Sequence, residues 1–203
     1  LILSSNRPVS SKASKINTWD GQPFASLFVL NGKKIESFDA LDSKYNISTP
    51  TFTNDGNTVY FTQNNLIKNK NNHGFTSNLK IFRADYVDEK WKNITELPFN
   101  NDDYSCAHPI LSQDEKALYF SSDMPGTYGD SDIYRVKIFG NNQYSLPENL
   151  GKKINTEGKE TFPFMGSDNV LYFASNGHLG LGGLDIYKID FKDENAEVVN
   201  LGE

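Results

Sequence analysis

Cysteine is almost missing from this 203-residue chain. The single Cys106 excludes a disulfide framework and a zinc site built from thiolates, and leaves the compartment open. Long apolar runs are missing as well. Ala117–Phe120 and Leu27–Leu30 are the longest kind present, far short of the roughly 20 residues that span a bilayer. There is no surplus of positive charge: 20 Lys and Arg face 26 Asp and Glu, giving a net charge of −6. That balance argues against a nucleic-acid binder, which would carry a basic stripe. The nearest basic run, Lys68-Asn69-Lys70, sits in an Asn-rich stretch and reads as solvated. No window of about 12 residues has a helical apolar period. No signal peptide is visible, and the chain opens at Leu1-Ile2-Leu3 without Met, so it reads as a piece of a longer protein.

Aromatic residues, by contrast, are plentiful. Fourteen Phe, 10 Tyr and 2 Trp make 13% of the chain, too many for a disordered segment. A chain of this length folded as one unit buries about 70% of its extended surface, so a core without disulfides is feasible.

The aromatics recur in register. Val59-Tyr60-Phe61-Thr62-Gln63-Asn64 aligns with Leu118-Tyr119-Phe120-Ser121-Ser122-Asp123 and with Leu171-Tyr172-Phe173-Ala174-Ser175-Asn176. Leu1–Asn6 is a fourth copy, and the spacings are 58, 59 and 53 residues. A second element, Asp132-Ile133-Tyr134, returns as Asp185-Ile186-Tyr187, with weaker copies at Lys80-Ile81-Phe82 and Ser26-Leu27-Phe28. A third precedes each Tyr-Phe pair and opens on Pro50, Pro109 and Pro163, closing on Asp55, Asp114 and Asp168.

Within each repeat the segments read as strands. Thr58–Phe61, Ala117–Phe120 and Val170–Phe173 are short, β-branched or aromatic, and bounded by turn residues such as Asn54-Asp55-Gly56-Asn57. Ile133–Ile138 and Ile186–Ile189 alternate apolar and polar. A fourth strand falls near Trp91–Leu97, Tyr144–Leu150 and Glu197–Leu201. Four antiparallel strands repeating every 50–60 residues predict an all-β fold, a β-propeller of four-stranded blades stacked face to face. About three and a half blades are present, all within one domain: the second half of a blade over 1–47, then blades over 48–106, 107–159 and 160–203. Stacking predicts that Phe61, Phe120 and Phe173 are all buried. A propeller usually has four to eight blades, so the chain is expected to be part of a larger ring.

The repeat Pro-x-x-Ser-x-Asp, Leu-Tyr-Phe-x-Ser, Asp-Ile-Tyr resembles the WD40-like repeats of TolB-like propellers. Pro109, Ser112 and Asp114 fit that pattern with Glu115 in place of glycine; Gly166 and Thr53 stand where the other two serines would be. Glu96–Asn100, Ser121–Thr127, Asn149–Gly158 and Gly177–Asp185 further resemble Bacteroidetes OmpA-family envelope proteins. Some members of that family serve type IX secretion and gliding. The resemblance implies a periplasmic, outer-membrane-associated role among other envelope proteins. It implies linkage to peptidoglycan only through an OmpA-like domain that these residues do not include.

The loops joining second to third strands share a rim with the inter-blade loops. Measured between flanking apolar residues the former span 24, 20, 13 and 13 residues (Leu3–Leu27, Phe61–Ile81, Phe120–Ile133, Phe173–Ile186). This rim gathers Arg7, His73, Tyr104, His108, Tyr128, Glu160 and His178 as candidate partner or ligand contacts. The alternative is that long polar loops are merely tolerated there. The histidines lack metal-ligand spacing, and Asp130-Ser131-Asp132 lacks the glycine and closing glutamate of a calcium loop, so no metal or other cofactor is expected. Asp132 and Asp185 read as structural acceptors of backbone N–H bonds. No nucleophile elbow or phosphate loop is present: Gly180–Gly183 leads into a strand. Cys106 with His108 two residues on is a weak nucleophile signal, and Trp19 and Trp91 read as packing residues. The expected function is a non-enzymatic scaffold for protein contacts. The competing readings are a binder of carbohydrate or peptidoglycan fragments, whose groove would show exposed aromatics, and a glycoside hydrolase, which would need two carboxylates roughly 5–9.5 Å apart in a cleft.

Overall fold

A computed structural model describes residues 2–7, 21–38, 41, 46–68, 75–140 and 142–202. The described residues form strands and turns without an α-helix, and none of their segments is a helix long and apolar enough to cross a membrane. Four antiparallel sheets follow one another along the chain as blades of a β-propeller. The first holds β1 (Ile2–Ser5), β2 (Ser26–Asn31) and β3 (Lys34–Ser37). The second holds β4 (Ile47–Phe52), β5 (Thr58–Lys68), β6 (Phe75–Val87) and β7 (Lys90–Glu96). The third runs β8 (Cys106–Leu111), β9 (Ala117–Ser122), β10 (Asp132–Gly140), with two short pieces, β11 (Gln143–Tyr144) and β12 (Glu148–Asn149), sharing the outer position. The fourth is β13 (Glu160–Met165), β14 (Val170–Ser175), β15 (Asp185–Asp190) and β16 (Val199–Asn200).

Adjacent residues of a strand face opposite sides, and here both sides are apolar. Tyr60 faces the third sheet, where it joins Ile81, Leu118, Phe120 and Tyr134, while its neighbour Phe61 faces the first, with Leu27, Leu41 and Val59. The pattern repeats one blade on: Tyr119 and Ile133 pack with Leu171, Phe173 and Tyr187 of the fourth sheet. Phe61, Phe120 and Phe173 are all buried. Trp91 packs with Phe38 and Phe52, at ring separations of 6.0 and 5.8 Å, in the layer between the first two sheets; Trp19 lies outside the described residues.

Each repeated sequence element has a distinct mechanical origin. The serine and aspartate of Pro-x-x-Ser-x-Asp hold the first hairpin. Ser112 Oγ donates to Asp114 Oδ1 at 2.7 Å and the Lys116 amide donates to the same oxygen at 3.1 Å; Thr53 and Asp55 do the same at 2.6 Å. With Gly166 in place of the serine, only the Val170 amide bond to Asp168 remains, at 3.3 Å. Gly56, Glu115 and Asn169 take the left-handed position of these turns, with φ of 71°, 58° and 65°. Glu115 gains from that conformation a contact with the Asn54 amide of the preceding blade.

The prolines mark a β-bulge. Ladder register slips between Ser48 and Thr51, between Ala107 and Ile110, and between Thr161 and Phe164. Pro50, Pro109 and Pro163 fall within these slips, where a missing N–H costs no ladder bond. The residues just before them, Thr49, His108 and Phe162, have φ of 45°, 57° and 50°.

A further repeated device is an asparagine at each crossing between blades. Asn100 accepts from the Ile81 amide (3.0 Å) and donates to the Ile81 carbonyl (2.8 Å). Asn155 brackets Ile133 identically, at 2.8 and 3.0 Å. Asn46 accepts from the Ala25 amide at 2.6 Å. The side-chain amide thus completes the edge of the third strand as the chain leaves for the next blade.

Sheet contacts run from the first to the second, the second to the third and the third to the fourth, with none comparable from fourth to first among the described residues. The outward face of the fourth sheet is therefore open. Ile81 and Ile133 are 0% exposed, whereas Ile186 in the same register position is 58% exposed. Truncating a buried isoleucine loses transfer energy and leaves a cavity. Ile81→Ala and Ile133→Ala are expected to cost about 2–4 kcal/mol each and Ile186→Ala under about 1 kcal/mol, as read from urea midpoints.

Candidate functional site

The rim of long loops is built on the ends of the second and third strands. Position 132 of the repeat sets the loop between them. Asp132 is buried, and its Oδ2 accepts from the Tyr128 amide four residues back (2.9 Å) and from Asn149 Nδ2 (2.6 Å). Asp185 Oδ2 accepts from the Leu181 amide, also four back (2.7 Å), and from the Gly182 amide (3.3 Å). In the second blade the position carries Lys80, buried and of opposite charge, which reaches Glu96 at 2.8 Å and Asp102 at 2.6 Å. Burial opposes the Lys80 charge, but the two carboxylates outweigh it and hold its pKa above the ordinary value. Two opposite charges thus fill one structural position.

Most of the polar rim residues are tied into the fold. Glu160 is fully buried and accepts from the Thr156 amide, Thr156 Oγ1 and Ser175 Oγ at 2.7, 2.7 and 2.5 Å. His178 Nε2 donates to the Ile154 carbonyl at 2.8 Å, with its ring against Phe173 and Tyr187. The Tyr104 hydroxyl donates to the Phe99 carbonyl at 2.9 Å, and burial raises its pKa. Tyr128 and Arg7 remain exposed, Tyr128 with the Lys152 ammonium 5.4 Å from its ring centroid. His73 lies outside the described residues. The segment between Phe61 and Ile81 differs from a plain loop: β5 and β6 stay paired from Asn65↔Asn78 to Lys68↔Phe75 as a two-stranded ribbon.

His108 belongs to the bulge of β8, one of the innermost strands. Its amide donates to Thr62 Oγ1 of the preceding blade at 2.8 Å, and its Nδ1 is 2.8 Å from Thr161 Oγ1 of the following one. Its ring stacks on Phe162 at 3.9 Å. Thr62 Oγ1 is in turn 2.8 Å from Thr49 Oγ1, so one polar chain stitches three inner strands. Burial pushes the His108 imidazole down to about 4. Cys106, two residues away, is buried, lies 3.5 Å from Ser122 Oγ, and has its thiol pushed up to about 12 by burial. That is the environment of an inert thiol.

The same loops display apolar side chains that the sequence pattern did not single out. Asp185 fixes the Leu181 and Gly182 amides, and the Tyr187 hydroxyl donates to the His178 and Leu179 carbonyls at 3.2 and 3.0 Å. The loop so held presents Leu179 at 94% exposure and Leu181 at 75%, beside Leu184. In the third blade the corresponding loop instead tucks Met124 inside.

Two clefts open on the opposite, hairpin rim. One of about 590 Å³ lies between the inner strands and includes Thr51, Ile110, Glu115, Phe164 and Asp168. The other, of about 610 Å³, runs along the seam between third and fourth sheets. Their carboxylates, Asp114, Glu115 and Asp168, are hairpin-turn residues engaged with turn or neighbouring amides. Among the described residues no group of three or more His, Cys, Asp or Glu is placed to hold a metal.

Two outcomes follow from these environments. His108 titrates near 6.5 when unfolded and about 4 when folded, so the unfolded chain alone binds its proton in between. Its contribution is whole above pH 6.5 and is lost as pH falls toward 4, on the order of 2–3 kcal/mol. Between pH 7 and 4.5 the native chain should therefore lose more stability in urea titrations than His108→Asn, which tolerates the positive φ. Asp132→Ala, which removes a buried carboxylate and leaves the Tyr128 amide and Asn149 without their acceptor, should cost about 1–3 kcal/mol in the same assay. Asp185→Ala, at a partly exposed site, should cost less than half as much.

No protein-family model matches the chain, and no curated protein matches it in sequence. Solved structures do match in shape. TolB from Acinetobacter baumannii aligns with a TM-score of 0.52 and 18% identity over 87% of this chain and 38% of its own. A putative TolB from Agrobacterium tumefaciens aligns at 0.56 and 17%, over 91% of this chain and 59% of its own. A thermostable family-43 glycoside hydrolase aligns at 0.52 and 10%, over 86% and 66%. A puromycin-hydrolyzing peptidase from Mycobacterium tuberculosis also aligns, at 0.52 and 15% over 85% and 27%. The chain spans between about a quarter and two thirds of the length of these proteins, and what it shares with them is the β-propeller fold.

Proposed function

We propose that this chain is a non-enzymatic propeller scaffold that holds protein partners in a bacterial cell envelope. The observation that carries the reading is the loop over 176–184. Its backbone is pinned by Asp185 and Tyr187, while Leu179 and Leu181 stand almost wholly in solvent. Exposed leucines on an ordered loop are costly to hydrate, and they are repaid when a partner covers them. The rim carrying them is also where the repeats diverge most in length. Loop length costs the fold little, since closure entropy grows only logarithmically.

The envelope assignment rests on two supports. The neighbours include TolB proteins, and four stretches of sequence resemble Bacteroidetes OmpA-family envelope proteins. Both favour the periplasm, with the partner among outer-membrane-associated proteins such as those of type IX secretion and gliding. Any linkage to peptidoglycan would run through domains other than this propeller. The turn-bound state of the cleft carboxylates favours scaffolding over glycoside hydrolysis, despite the hydrolase among the neighbours.

The test is the double substitution Leu179→Ser with Leu181→Ser in the full-length protein. Co-purification of envelope partners is expected to fall severalfold while the melting temperature stays within a few degrees, since neither side chain is packed. Undiminished co-purification contradicts the assignment.

A further inference from the structure

The seams between successive sheets are built from the same repeat, so one seam shows how another would look if closed. Between the second and third sheets, on the hairpin rim, Tyr144 from the outer strand fills the gap. Its hydroxyl donates to the Tyr60 hydroxyl at 3.3 Å, and its ring meets Phe99 edge-on at 6.1 Å. Tyr144 stands five residues before Asn149, which pairs with Tyr134. In the fourth sheet the corresponding pair is Tyr187 with Asn200, and the residues before it that reach the core are the smaller Ala196 and Val198. Phe191 stacks on Tyr119 at 6.0 Å but does not fill the seam, and a groove of about 610 Å³ remains. That volume suits several residues of a peptide.

The groove has a defined chemistry. Tyr119 and Met165 form a buried apolar floor. Phe139, 64% exposed, and Phe191 stand along it. Lys116, Lys137 and Lys192 line it, and none of these ammonium groups is in an ion pair among the described residues. Arg135 is also there, held by Glu148 at 2.7 Å. Among the described residues the only carboxylate in the lining is Asp114, whose Oδ1 is already engaged by the Ser112 hydroxyl and the Lys116 amide of its own turn. In a chain of net charge −6 this is a local reversal of sign beside exposed aromatic rings.

We propose that this groove docks an acidic peptide segment of a partner protein, with an apolar side chain between Phe139 and Phe191 and carboxylates against Lys116, Lys137 and Lys192. Charge complementarity selects the acidic segment, and the apolar floor favours a peptide over a nucleic acid, whose backbone offers charge without an aliphatic anchor. The surface lies on the rim opposite Leu179 and Leu181, so it is a second contact, independent of the first.

The probe is a short fluorescein-labelled peptide, Asp-Glu-Phe-Leu-Glu-Asp, titrated with the propeller and followed by anisotropy. Saturable binding is expected, weakened by salt, and weakened about tenfold or more by the exposed pair Lys137→Glu with Lys192→Glu. Phe139→Ser should weaken it severalfold, and circular dichroism checks that each variant is folded. The Leu179→Ser with Leu181→Ser protein should bind the probe unchanged. The proposal is overturned by absence of binding up to about 1 mM, or by equal affinity for the same peptide with lysine at every acidic position. Equal affinity for a single-stranded oligonucleotide, indifference to the lysine reversals, or loss of binding in the leucine variant would overturn it too.

Discussion

In two of the three layers of this protein a tyrosine and an isoleucine of one sheet press against a phenylalanine of the next, and in the first Leu27 meets Phe61. Tyr60 and Ile81 meet Phe120, and Tyr119 and Ile133 meet Phe173. No blade has a core of its own; each pair of sheets makes one between them. A four-stranded sheet with two apolar faces is unstable by itself in water, so the chain is bound to stack. Everything else is arranged around the layers. The bracketing asparagines, Asn100 and Asn155, seal the backbone of the isoleucine that each layer buries. The polar chain through Thr49, Thr62, His108 and Thr161 ties the inner strands where apolar packing gives out.

The layers also decide where function can sit. Residues inside them are spoken for, which leaves the two rims and the open face of the fourth sheet. On the rim of long loops, Asp132 and Asp185 hold short turns by accepting the amide four residues back, and the loop above Asp185 then displays leucines. On the hairpin rim, the size of one outer-strand side chain decides whether a seam closes, as at Tyr144, or stays open, as beside Ala196.

Much of this was legible in the sequence because propeller repeats repeat their reasons. The aromatic pairs, the hairpin aspartates and the order of strands all follow from three short elements in register. The outer strand was harder: in the third blade it is split into β11 and β12, which alternation alone does not reveal. The prolines were legible as markers but not as bulges, since a positive φ at Thr49, His108 and Phe162 leaves no compositional trace. Asn46, Asn100 and Asn155 could have been found, for they recur at 54 and 55 residues just ahead of each blade. At the rim, polarity was a poor guide. Glu160, His178 and Tyr104 bond within the fold, while the glycine-flanked Leu179 and Leu181 face solvent. The open seam depends on side-chain volumes across two blades, which no single-blade motif encodes.

Stability resides in the layers between sheets, so a sheet covered on both faces is held more firmly than one covered on a single face. Native-state amide exchange reads this strand by strand. The slowest exchange is expected in β9 and β10, which are packed between two neighbours, and exchange at least about tenfold faster in β15, whose Ile186 side is open. Equal protection of β15 and β10, or slowest exchange in β15, would contradict it.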